Sequence, residues 1–147
     1  MQRPRLYHSN ALLLPDARVL ILGGGRFNGG DAPTDQKSSE IFSPPYLFKG
    51  ARPVITSAPT TATYGAGIAV QTPDAASIGS VVLMKLGTTT HSFNTNQRIV
   101  PLAFTAGSGT LSVQTPANAN LAPPGHYMLF ILSTNGVPSV ASTVQLQ

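Results

Sequence analysis

Apolar residues in this chain fall in short runs, each closed by turn-forming residues, and no run keeps a helical period long enough to make a helix. Residues 9–14 form one run, and Pro15-Asp16-Ala17-Arg18 then offers a turn, because Pro fixes φ and Asp can bond the backbone two residues on. Val19-Leu20-Ile21-Leu22 follows and ends at Gly23-Gly24-Gly25, so the two runs predict a hairpin. Residues 26–37 are polar and Gly-rich and read as an irregular loop, and 38–42 predict one further strand. Three strands are too few to bury a core alone. Ser43-Pro44-Pro45-Tyr46 breaks the pattern, and residues 49–53 read as a linker.

Beyond the linker, seven strands are predicted at regular spacing: 54–56, 67–72, 80–86, 98–105, 110–115, 126–133 and 139–146. Their separators are turn-formers, among them Pro73-Asp74, Gly107-Ser108-Gly109, Pro123-Pro124-Gly125 and Asn135-Gly136. Leu111, Val113 and Thr115 alternate with Thr110, Ser112 and Gln114, so one face is expected inside and the other wet. Seven short strands in such a span suit an immunoglobulin-like β-sandwich. With no Cys and no Trp, it is not an antibody-type domain.

Composition sharpens this all-β reading. Only 10% of the 147 residues are charged against 41% hydrophobic, the opposite of the balance that disorder needs. No apolar stretch reaches the ~18 residues of a spanning helix, and no membrane partner is expected. Met1-Gln2-Arg3-Pro4-Arg5 precedes only a short apolar run, so no signal peptide is read. A surface rich in Ser, Thr, Asn and Gln leans towards an extracellular setting. The net charge of +4 comes from nine basic and five acidic groups, and the basic ones are scattered, so no nucleic-acid face is expected. Zero cysteines exclude disulfides and thiolate ligands within the chain.

Four motifs carry more. They are Arg5-Leu6-Tyr7-His8-Ser9 with the run to Gly25, and Ile41-Phe42-Ser43-Pro44-Pro45-Tyr46-Leu47 with Arg52-Pro53. The third is Thr90-His91-Ser92-Phe93-Asn94-Thr95-Asn96-Gln97-Arg98, and the fourth is Pro124-Gly125-His126-Tyr127-Met128-Leu129-Phe130 running on to Ser142. In this order they resemble the C-terminal portion of the galactose oxidase and glyoxal oxidase family of copper radical oxidases.

The resemblance implies a partial Kelch-type propeller blade and linker over residues 1–48. An immunoglobulin-like, early-set domain over 49–147 follows and packs on its own propeller. It also implies copper (Cu²⁺), with Tyr7 as axial ligand and proton acceptor, and His8 and His91 as equatorial ligands. Imidazole suits Cu(II). Adjacent Tyr7 and His8 would point to opposite faces of an extended segment, so they can share a metal only where the backbone turns.

The family oxidises a primary alcohol, aldehyde or sugar with O₂ and releases hydrogen peroxide. Its radical tyrosine is bonded to a cysteine, which this chain lacks. That Tyr-Cys pair is therefore expected in a missing N-terminal part, and the isolated chain is expected to be inactive. The other reading is a non-catalytic immunoglobulin-like module for stability or carbohydrate interaction. His126, beside Pro124-Gly125, reads as an ordinary surface or strand-start residue, Tyr127, Phe130 and Leu132 as sandwich core, and Asn94, Gln97 and Arg98 as either supports of the His91 loop or plain surface.

Overall fold

A computed structural model describes residues 2–25 and 35–147. Residues 26–34, most of the expected irregular loop, lie outside the described residues. The N-terminal part is an antiparallel sheet ordered β1 (Asn10–Leu13), β2 (Val19–Leu22), β3 (Ser39–Phe42). The Pro15-to-Arg18 turn forms as the residues dictate, with Asp16 accepting from the Arg18 amide at 3.0 Å. Ser43 and Pro44 end the sheet, and Pro45–Phe48 makes one 3₁₀ turn.

Two further sheets face each other. One, of five strands, is ordered β4 (Thr61–Ala62), β13 (Ser142–Leu146), β12 (Gly125–Ser133), β6 (Ile78–Lys85), β9 (Ile99–Leu102). The other is ordered β10 (Phe104–Ala106), β11 (Thr110–Gln114), β5 (Gly67–Gln71). Leu111 and Val113 are buried while Ser112 and Gln114 are exposed, as the alternation requires. With Val70, Val81, Leu83, Leu129, Ile131 and Val144 they fill the space between the sheets. The fold is the all-β sandwich the spacing predicts.

Five details depart from the expected strands, the first being the two-residue β4, which pairs in parallel with β13 where no strand was read. Residues 54–56 form none: the main chain there bonds Gln71 only through Thr56 N–H and an isolated bridge at Ser57. The expected 98–105 strand is two, because the chain leaves the five-stranded sheet after Leu102 and joins β11 from Phe104. Pro101, which has no N–H, is tolerated in β9 because that strand lies at the sheet edge. The last strand begins at Ser142, since residues 137–139 are held against the end of β12 by an isolated antiparallel bridge at Pro138. A short hairpin, β7 (Thr89–Thr90) with β8 (Phe93–Asn94), appears where no strand was read.

β12 explains why residues 127–132 are apolar without alternation. Tyr127, Leu129 and Ile131 face the sandwich interior, whereas Met128 and Phe130 face the opposite way. There they pack with Ala17, Leu13, Tyr46 and Leu47 of the N-terminal part. A strand covered on both faces reads as a continuous apolar run. Phe130 and Leu132, expected in the sandwich core, belong to this second cluster. The Tyr46 hydroxyl donates to the Ala17 carbonyl at 2.6 Å, and Ala141 N–H donates to Pro15 O at 2.8 Å, closing the same seam.

Candidate functional site

Tyr7 and His8 are central residues of a turn closed by Ser9 N–H donating to Leu6 O at 3.0 Å. His8 has φ +62° and Tyr7 a negative φ, the sign pattern of a type II turn. The backbone therefore turns where a shared metal would need it to. Left-handed φ is uncommon for a residue with a Cβ, and the surroundings hold it here. Arg5, its side chain 1% exposed, donates to Gly23 O, Ser38 O, Ser38 Oγ and Glu40 Oε1 at 2.8–3.2 Å. Gly25 N–H donates to Tyr7 O at 3.0 Å.

The glycines permit that approach. A Cβ on Gly23 would stand 2.8 Å from the His8 carbonyl oxygen, and one on Gly24 would stand 3.0 Å from Arg5 Cα. Both also have positive φ. Gly23-Gly24-Gly25 is thus bare main chain lying against the segment that carries Tyr7 and His8.

His91 and Ser92 are the two loop residues of the β7–β8 hairpin, with φ +52° and +63°. Two successive positive φ values define a type I′ turn, whose twist suits a two-residue hairpin but which favours Asn-Gly. Asn94 steadies its base: Oδ1 accepts from Thr88 N–H at 3.1 Å and Asn96 N–H at 3.2 Å. Asn96 Nδ2 donates to Thr88 Oγ1 at 2.8 Å. Arg98 instead donates to Asn120 O and Leu121 O, outside this hairpin.

The two turns meet. Ring centroids lie 3.9 Å apart for Tyr7 and His8, 4.3 Å for His8 and His91, and 5.7 Å for Tyr7 and His91. Thr90 Oγ1 lies 2.7 Å from His91 Nδ1. In the tautomer whose Nδ1–H donates to that hydroxyl, Nε2 keeps its lone pair. All three rings are exposed, Tyr7 by half. His126 lies elsewhere, on β12 opposite Gln145.

Among the described residues, no group of three or more His, Cys, Asp or Glu comes together. The third donor of this cluster is a phenol. Two imidazoles and a phenol are donor types that suit Cu(II). Sequence reasoning missed Arg5 and the contact between Ser9 Oγ and Ser92 Oγ at 3.0 Å. One signal was present: each candidate histidine is followed directly by a serine.

Fold and cluster together define an early-set, immunoglobulin-like domain whose β7–β8 hairpin brings His91 to the Tyr7 and His8 of a small N-terminal sheet segment. The chain belongs to the galactose oxidase-like, early set domain family, whose profile matches residues 52–146. A galactose oxidase of Gibberella zeae is 42% identical over 97% of this chain and 21% of its own length. An aldehyde oxidase of Vitis pseudoreticulata is 40% identical over 97% of this chain and 30% of its own. A fungal alcohol oxidase solved in complex with copper superposes with TM-score 0.89 at 36% identity, over 98% of this chain and 31% of that one. The chain therefore spans about a fifth to a third of these relatives' lengths.

Proposed function

We propose that the chain is the C-terminal portion of a copper radical oxidase that oxidises primary alcohols or aldehydes with O₂ to give hydrogen peroxide. In this reading residues 1–48 belong to a propeller and 49–147 form the appended domain. Tyr7, His8 and His91 are ligands. The observation that carries it is the meeting of Tyr7, His8 and His91, which lie on separate turns 83 positions apart at the histidines yet have ring centroids within 5.7 Å.

Copper, when bound, supplies a one-electron acceptor and a Lewis acid. His8 and His91 would hold it through imidazole lone pairs. Tyr7, half exposed, can meet a substrate hydroxyl and take its proton once a neighbouring cation stabilises its phenolate. Alcohol oxidation releases two electrons, and the second acceptor in this reading is a Tyr-Cys pair. The chain has no cysteine.

Calorimetric titration of the 147-residue protein with Cu(II) tests the ligand set. His8→Ala and His91→Ala weaken binding, His126→Ala does not, and the copper-loaded chain releases no peroxide from galactose or glyoxal-type substrates. Equal affinity in all three variants would overturn the metal assignment. Robust peroxide would overturn the account of the missing acceptor.

A further inference from the structure

The two turns share three features. His8-Ser9 and His91-Ser92 are both histidine-serine pairs, both histidines are left-handed, and the serine hydroxyls meet at 3.0 Å. One turn belongs to the N-terminal sheet segment and the other to a hairpin emerging from the sandwich. Away from the seam around Ala17, Met128 and Phe130, this hydroxyl pair joins the two histidine-bearing turns through their side chains. Each serine sits one residue from the ring it would steer, so the bond acts with almost no lever between it and the imidazoles.

We propose that Ser9 and Ser92 are positioning residues, a hydroxyl latch that holds His8 and His91 at metal-ready separation before any ion arrives. This deepens the copper reading and rests on it for its effect on affinity. An ion that meets two already adjacent imidazoles does not have to order the turns itself. Apparent affinity falls in proportion to the fraction of molecules in the competent arrangement. An exposed hydroxyl pair holds that arrangement modestly, so its loss lowers Cu(II) affinity about three- to tenfold.

The test uses the full chain in two measurements. In the copper-free protein, NMR distance contacts between the His8 and His91 rings are present in wild type, weakened in Ser9→Ala and Ser92→Ala, and restored in Ser9→Thr, which keeps a hydroxyl. In competition calorimetry, each alanine variant binds Cu(II) about three- to tenfold more weakly, Ser9→Thr recovers, and the double variant is no weaker than either single one. Ring contacts and affinity unchanged in both alanine variants would overturn the latch. So would additive losses in the double variant, or a fall in melting temperature that tracks the affinity loss, which would mark a general structural role. If wild type binds no copper, the metal reading fails while the ring contacts still decide the latch.

Discussion

Replacing Arg5 by Met keeps the side chain's bulk and removes its charge. The guanidinium makes four hydrogen bonds, to Gly23 O, Ser38 O, Ser38 Oγ and Glu40 Oε1, in a setting where the side chain is 1% exposed. Bonds to a charged group contribute about 1.5–3 kcal/mol each in favourable cases. Much of that is offset because the buried guanidinium no longer needs desolvating and its Nε–H has no partner among the described residues. A net loss of about 2–4 kcal/mol in the local stability of residues 5–9 and 23–25 follows. Native-state hydrogen exchange reads this directly. The Gly25 amide, bonded to Tyr7 O, should exchange about 30- to 1,000-fold faster in Arg5→Met, since each 1.36 kcal/mol is tenfold. Amides of β12, inside the sandwich, should change far less. Unchanged protection at Gly25 would refute the view that Arg5 holds the Tyr7–His8 turn. Equal acceleration in β12 would show that the two parts open only as one unit.

Two further predictions concern stability. Leu129→Ala, at a site 0% exposed between the sheets, should cost about 2–5 kcal/mol in urea unfolding without altering Cu(II) affinity in the folded protein. The pH dependence has two limbs. The Arg18 side chain donating to Asp16 holds its carboxyl below the usual range, and the Gln2 amide does the same for Glu40, ahead of Arg5. Both groups therefore stabilise the fold above the ordinary carboxylate range and cease to as pH falls through their lowered values. Burial raises the phenols of Tyr46 and Tyr127, so their contribution is complete below about pH 10 and is lost as pH rises beyond it. Urea midpoints measured across pH should fall at both ends. A midpoint that stays flat from pH 9 to 11 would remove the tyrosine limb.

Much of the sandwich was legible because Leu111, Val113 and their neighbours obey a period of two imposed by one wet face. The opposite error arose at β12, where both faces are covered. A continuous apolar run names a buried strand but does not say which side each residue takes, so Phe130 was assigned to the wrong layer. The β7–β8 hairpin escaped because its loop is His91-Ser92, and sequence rules look for Asn-Gly there. The division of the β9–β10 run at Ala103 depends on which sheet offers an edge, a long-range matter that local pattern does not encode. Of the site, the ring-bearing residues were found through motif resemblance. Asn94 as a support was one of two readings, and it does brace the His91 loop, whereas Arg5 was given no role, because two of its four bonds go to carbonyl oxygens, and every residue has one.

The left-handed histidines have a consequence for how such a chain can drift. A non-glycine residue held at φ near +60° gives up about 1 kcal/mol that glycine would not, and asparagine is among the residues that tolerate it best. At positions 8 and 91 the backbone alone favours glycine or asparagine, whereas the ligation proposed above would favour histidine. A descendant released from ligation would gain stability by exchanging either histidine for glycine or asparagine, with no repacking of the sandwich needed. In the copper reading proposed above, the residue types at these two turns would therefore record use: glycine is what the backbone favours there, and imidazole is what ligation would keep.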